Sequence, residues 1–387
     1  MGAMTNGPSR RAVLGGLLAA AACRPGRAAA EGIAPAERAA MAAAATAFLD
    51  AQDLPGLSVA IAKDGRLVYR EAFGFADRDT GERMTPRHRM RIASISKTLT
   101  ATAVFALIEQ GRLRLDERVF GSGGVLGADF SGGRDQPHLA AITIDHLLTH
   151  TVGSWANDAS DPMFMDARWS HAELIAQTLA LRPLERAPGS AYAYSNFGFC
   201  VLGRVIEKLT GAPYDAHVQR TLLTPCGISS LRIAGNTRSE RAADEVVYGD
   251  DTRRHRSPYG MNVTRMDSHG GWMGSAEDLV RFGIRIAKLP VAGGLLRPET
   301  VTTMTTGSTV HPAYARGWRV NAAGNWWHTG SLPGTRTILV RTRSGFTWAA
   351  LCNGRGGNDT ASALDRLAWT MVRTVTRWPS DDLFTRG

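Results

Sequence analysis

The sequence predicts an α/β fold of the α+β kind: one antiparallel β-sheet flanked by helices, with an inserted, mainly helical lobe. Three observations predict it. Strand-forming runs lie near both ends of the chain, helical periodicities fill the middle, and the first two strand runs are separated only by a tight Asp-Gly turn. A length of 387 residues, 44% hydrophobic and 21% charged, supplies ample core for one large α/β unit with an insertion. The expected organisation is a leader over 1–30, a sheet domain from 31–120 and 199–387, and a helical lobe over 121–198.

The elements follow in order. Pro35 to Ala51 is alanine-rich with proline in its first turn, where a missing N–H costs nothing, and reads as a helix. Leu57–Ala62 and Arg66–Phe73 are strand runs around Lys63-Asp64-Gly65, a hairpin signal. Thr98 to Glu109 places Leu99, Ala103, Leu107 and Ile108 on one stripe and stops at Gly111, so Ser94 falls at or just before a helix N-terminus. Ile144–His150, His171–Leu181 and Phe199–Leu209 are further helices. Strands return at Gly317–Val320, Trp326–His328, Thr337–Arg341 and Thr347–Leu351, and a last helix runs from about Thr360 to Thr376.

The first thirty residues read as an export signal. Ser9-Arg10-Arg11 precedes an apolar stretch from Ala12 to Ala22, and Ala28-Ala29-Ala30 offers a small-residue cleavage site. The apolar stretch is too short to span a bilayer as a helix. The paired arginine resembles a twin-arginine signal and predicts a periplasmic or secreted protein, with Cys23 as the alternative, a lipid-anchoring site. The formal charge is +10, but four of the basic residues lie in this acid-free leader. The excess left over forms no basic run, so nucleic acid is not indicated as a partner. Cys200, Cys226 and Cys352 form no framework or zinc spacing and read as buried thiols.

Three short segments carry chemistry. Ser94-Ile95-Ser96-Lys97 is an S-x-x-K tetrad. Positions i and i+3 share a helix face, which brings hydroxyl and amine within reach, and a desolvated amine can accept the serine proton. The chain has only four lysines, and arginine, its other cation, cannot serve as a base. Taken alone, the tetrad also fits a surface lysine behind a capping serine. Tyr194-Ser195-Asn196 offers a phenol for proton transfer, able to approach the phenolate beside an ammonium, and an amide for a substrate carbonyl; on its own it also fits a tyrosine in a turn. His328-Thr329-Gly330-Ser331 lies on or at the end of a strand, where Ser331 N–H can join Ser94 N–H as an oxyanion donor and Gly330 permits close approach.

Taken in this order, the three segments resemble the family of serine β-lactamases, DD-carboxypeptidases and related esterases. The resemblance extends from roughly Pro55 to Asn353. It includes Arg91–Thr98, Gly111–Asp116, and Ile142–Thr151 and Gly274–Leu279, the last two similar to signatures of the class C-like branch. It implies a β-lactamase/transpeptidase-like fold and acyl transfer through Ser94, with Lys97 and Tyr194 as coupled acid and base. Asn196, His328, Thr329 and Gly330 would contact substrate. Many members carry lysine where this chain has His328, which replaces a permanent charge by a titratable one and argues against efficient β-lactamase activity. The implied substrates are small esters or D-amino-acid peptide bonds of cell-wall type, with β-lactams as slow substrates or inhibitors, and no metal or organic cofactor. The competing readings are a catalytically silent ligand-binding or penicillin-sensing protein of the same fold, and a true β-lactamase.

Other motifs are set aside. His146 and His150 have i, i+4 spacing, but no third metal ligand is evident. There is no G-x-S-x-G, Walker loop or dinucleotide fingerprint. Trp318, Trp326 and Trp327 fit cleft lining or packing equally well.

Overall fold

The computed structural model describes residues 1–2, 32–130, 136, 138–249, 257–286 and 294–385. The predicted leader, Cys23 included, lies outside the described residues. Strands β1 (Gly56–Lys63) and β2 (Arg66–Asp77) form the hairpin expected around Asp64-Gly65, and β3 (Glu82–Arg83) lines the outer edge. From the C-terminal part come β7 (Arg319–Val320), β8 (Trp326–Leu332), β9 (Thr335–Arg341) and β10 (Phe346–Cys352). They join in one seven-stranded antiparallel sheet of order β3-β2-β1-β10-β9-β8-β7. The two ends of the chain thus meet at the β1–β10 pair, whose register runs from Leu57 opposite Cys352 to Lys63 opposite Phe346.

Both faces of the central strands are buried, and on β1 the side chains divide by size. Leu57, Val59, Ile61, Ile338, Val340 and Trp348 pack against helices α1 (Pro35–Gln52) and α9 (Thr360–Thr374). On the opposite face β1 presents Ala60 and Ala62, small enough for helix α7 (Ala276–Ile286) to lie close. Gly283 of that helix has room for no more, since a Cβ there would sit 2.9 Å from Thr347 Cγ2.

Beyond α7 lies the second half of the core, centred on α2 (Ser96–Glu109). This helix starts two residues earlier than its apolar stripe predicts and is preceded by a 3-10 turn, Ala93–Ile95. It packs against α5 (Asn196–Thr210), which in turn meets α3 (Ile144–Leu148), and even Lys97, Thr98, Thr100 and Thr102 are buried. Helix α4 (His171–Leu181) is bounded as predicted and opens on a capping box between Ser170 and Glu173. Helix α5 begins three residues earlier than predicted because Ser195 caps it, accepting from Gly198 N–H at 3.0 Å.

The sequence reading missed α6 (Tyr214–Val218), α7, α8 (Pro298–Thr305) and a small sheet of β4 (Met90–Arg91), β5 (Arg232–Ile233) and β6 (Trp272–Gly274) in order β4-β6-β5. That sheet matters because β4 leads straight into the Ala93–Ile95 turn. Trp318 and Trp326 are buried in an edge-to-face pair 4.7 Å apart and serve packing. Cys200, Cys226 and Cys352 are free and buried, with desolvation pushing the first two thiols up to about 12 and about 11, so they are inert at neutral pH. Among the described residues no helix is long and apolar enough to cross a membrane.

Candidate active site

The site forms where the Ala93–Ile95 turn is pressed against β8 and β9. Thr335 Oγ1 donates to Arg91 O at 3.0 Å and Thr337 Oγ1 to Ile92 O at 2.9 Å, while Ile92 N–H reaches Trp272 O at 2.8 Å. Arg91 is itself buried, with its guanidinium bonded to the Pro258 and Gly235 carbonyls and stacked on Tyr248. With the backbone clamped from both sides, Ala93 sits at φ +49°, an uncommon left-handed conformation for a residue with a Cβ. Ser94 follows directly, partly open to solvent.

Lys97 lies one helical turn on, with no exposed surface. Its Nζ is 2.7 Å from Asn196 Oδ1, 2.9 Å from His269 O and 3.2 Å from Ser94 Oγ. The first two partners can only accept, and the Asn196 amide cannot be reversed because its Nδ2 donates to Asp161 Oδ2 at 2.7 Å. Two hydrogens of the amine are therefore committed, and a neutral amine turns its lone pair to Ser94. Burial lowers the Lys97 amine to about 7, against the opposing pull of the Asp161 carboxylate. The neutral form is thus well populated at physiological pH. Asp161, also buried, is raised by desolvation and held by Met163 N–H at 2.9 Å as well as by Asn196.

Tyr194 completes this set. Its hydroxyl lies beside Ser94, which bears on its ionisation, and Lys97 Nζ lies 4.9 Å from its ring centre. Burial raises the phenol well above the ordinary tyrosine range, a stronger effect than that of Ser94, which lowers it. Tyr194 is therefore favoured as a phenol, able to donate a hydrogen bond, over the phenolate that the sequence also allows. Ser94 is thus a neighbour of both the Tyr194 hydroxyl and Lys97 Nζ.

On the other side of Ser94 runs β8. Residues Leu332 and Thr335 flank a two-residue turn and close the hairpin. The alternation of an antiparallel ladder then turns Ser331 N–H and C=O outward, away from β9. Because β7 pairs only with Trp326 and Trp327, that edge is open from His328 onward. Gly330 packs flat on the clamped turn: a Cβ there would lie 2.2 Å from Thr337 Oγ1, 2.3 Å from Ile92 O and 3.0 Å from Ala93 Cβ. His328 is buried, and desolvation followed by the Lys97 charge lowers its ring to about 3, so it carries no charge at neutral pH. A cavity of about 390 Å³ lined by Asn157, Asp158, Phe164, Ser331, Leu332 and Pro333 opens at the end of β8.

All the residues singled out in the sequence, Ser94, Lys97, Tyr194, Asn196, His328, Thr329, Gly330 and Ser331, thus lie around one site. Asn196 differs in detail, its amide being engaged by Lys97 and Asp161 rather than turned wholly to a substrate. The sequence reading missed Asp161, Tyr314, the His269 carbonyl and Arg319. Arg319 is half-buried on β7, and its charge bears on His328, His150, Tyr192, Tyr194 and Tyr314. Its guanidinium has no hydrogen-bond or ion-pair partner among the described residues. Nothing local in the sequence separates it from forty other arginines. His146 and His150 have unrelated partners. His146 Nδ1 accepts from Thr143 N–H at 3.2 Å in a helix cap, whereas His150 faces the site.

Comparison with known proteins is consistent with this geometry. Residues 41–370 match the model of the family described as Beta-lactamase. The chain is 32% identical over 228 residues to Esterase EstB of Burkholderia gladioli, a match spanning 56% of each chain. It is 27% identical over 332 residues to Penicillin-binding protein 4 of Amycolatopsis lactamdurans, covering 78% of this chain and 81% of that one. Among solved structures, D-amino acid amidase from Ochrobactrum anthropi SV3 superposes with a TM-score of 0.72 at 21% identity, over 88% of this chain and 98% of the other, a likeness of fold.

The tight seat of Gly330 generates a prediction. Gly330→Ala forces β8 away from the clamped turn and lowers kcat/KM by about a hundredfold, the scale of a one-ångström misplacement, with the circular dichroism spectrum retained. Near-normal turnover by a folded Gly330→Ala protein would show that this seat does not set the site.

Proposed function

We propose that Ser94 forms the acyl-enzyme of this chain, which belongs to the Beta-lactamase family and is a serine hydrolase. The observation that carries the assignment is the Lys97 amine, two of whose hydrogens are committed to pure acceptors while its remaining contact is Ser94. Ser94 Oγ attacks the substrate carbonyl as its proton passes to neutral Lys97. The tetrahedral oxyanion is held by Ser94 N–H and Ser331 N–H, worth about a hundred- to a thousandfold per donor in such sites. Collapse breaks the bond to the leaving group, which takes the proton back from Lys97 by way of the Tyr194 hydroxyl. Water then attacks the acyl-enzyme by the reverse route and restores Ser94.

The electrostatics support a substrate that bears a carboxylate. His328 is neutral and buried, so it does not serve as the cationic grip; Arg319, unpartnered among the described residues, does. A D-amino-acid peptide with a free C-terminal carboxylate fits this arrangement, and the similarity to a penicillin-binding protein supports it. The resemblance to Esterase EstB supports a second reading in which simple esters, which make no use of Arg319, are also turned over. β-Lactams, which present both a reactive carbonyl and a carboxylate, fit as acylating agents. The leader read over 1–30 supports export, where such substrates are met.

Two outcomes test these assignments. Ser94→Ala loses turnover of ester and amide substrates alike and takes up no acyl mass from a penicillin; ester hydrolysis above background in that variant removes Ser94 as nucleophile. Arg319→Ala lowers kcat/KM for D-amino-acid peptides ending in a free carboxylate by roughly ten- to a hundredfold, the worth of a charged hydrogen bond, while esters lacking the carboxylate change little. An equal loss on both substrate types would refute the carboxylate assignment.

A further inference from the structure

A chain of four hydrogen bonds crosses the site behind the reacting groups and, with both imidazoles neutral, has only one possible polarity. It begins at Ser195 N–H, which donates to His150 Nδ1 at 3.1 Å. A backbone N–H can only donate, so the His150 proton sits on Nε2, which lies 3.0 Å from Tyr314 Oη. Tyr314 accepts there and so donates its own hydrogen to His328 Nε2 at 3.2 Å. His328 then carries its proton on Nδ1, 2.7 Å from Thr329 O, and a backbone carbonyl can only accept. Donor at one end and acceptor at the other leave the three side chains between no choice. All of them are buried.

We propose that Tyr314 is a positioning residue that locks His328 in the neutral Nδ1–H tautomer and, through the Thr329 carbonyl, holds the open edge of β8 that presents Ser331 to the nucleophile. The inference rests on the reading of Ser331 N–H as an oxyanion donor. The chain joins two of the three sequence segments: it starts within Tyr194-Ser195-Asn196 at the head of α5 and ends within His328-Thr329-Gly330. The groups facing His328 are Lys97 on α2, Arg319 on β7, Tyr194 before α5, His150 after α3 and Tyr314 itself. Both cations oppose a charge on His328, and the Tyr314 hydrogen occupies the nitrogen that would take it. Removing that hydrogen makes protonation easier, because a bond to the neutral form disfavours the charged one.

The test is ¹⁵N NMR of histidine-labelled protein, combined with pH–rate profiles of the wild type and Tyr314→Phe. In the wild type, the His328 resonances report a neutral ring protonated at Nδ1 and unchanged between pH 5 and 8. In Tyr314→Phe the His328 ring takes up a proton at higher pH than in the wild type, and kcat falls by about tenfold with KM changed less. A wild-type His328 protonated at Nε2, or titrating within pH 5–8, overturns the proposal, and this measurement decides even if the variant does not fold. A folded variant with an unchanged tautomer and unchanged kcat overturns it equally. The spectrum does not depend on turnover, so failure of the Ser94 assignment would leave the tautomer in place, and the two failures are distinguishable.

Discussion

The structure depends on the burial of one amine. Lys97 stands in the first turn of α2 with no exposed surface, yet it must keep a proton inventory that serves Ser94. Isolated charge in such a place is costly, and the protein meets that cost by letting the amine become neutral near physiological pH and by giving it two fixed acceptors. Each acceptor brings a further element with it. Asn196 places the head of α5 and, through Asp161, the loop before α4; the His269 carbonyl places the turn before β6. That turn is held in turn by the buried Arg204–Asp267 pair at 2.6 Å. The amine thus organises the helical side of the site.

The sheet supplies the other side by a different principle. The hairpin of β8 and β9 determines which backbone groups face outward, and threonines on β9 grip the segment before Ser94 by its carbonyls. The resulting left-handed Ala93 is local strain maintained by these contacts, and it lifts Ser94 toward the open edge. The edge stays open because β7 is only two residues long. Between the two sides runs the Ser195–His150–Tyr314–His328 chain, so the protonation states of the site are set largely by backbone groups at its ends.

Much of this was legible in the sequence because it is local. The S-x-x-K spacing on a helix, the Asp-Gly hairpin and the run of apolar periodicity in α2, α4 and α9 are properties of neighbouring residues. Their boundaries shifted by one to four residues where caps or ladders extended them, as at Ser195 and Leu332. The parts that were not legible depend on long-range contact. Strand β4 is two residues long and exists only because β6 lies beside it. Arg319 acquires meaning only from what fails to pair with it, and the neutrality of His328 and Tyr194 comes from burial that no spacing records. Asn196 likewise reads as a substrate contact until Asp161 is found behind it.

The central claim is that neutral Lys97 takes the Ser94 proton. The measurement that tests it most directly is the pH dependence of single-turnover acylation, followed by rapid-quench mass spectrometry between pH 5 and 9 for the wild type and Asp161→Asn. The account predicts a rate that rises with pH through a midpoint near 7, and a lower midpoint in Asp161→Asn, because that carboxylate is the charge that favours the ammonium. A flat profile, a midpoint in the ordinary amine range, or a midpoint unmoved by the Asp161 substitution would contradict it.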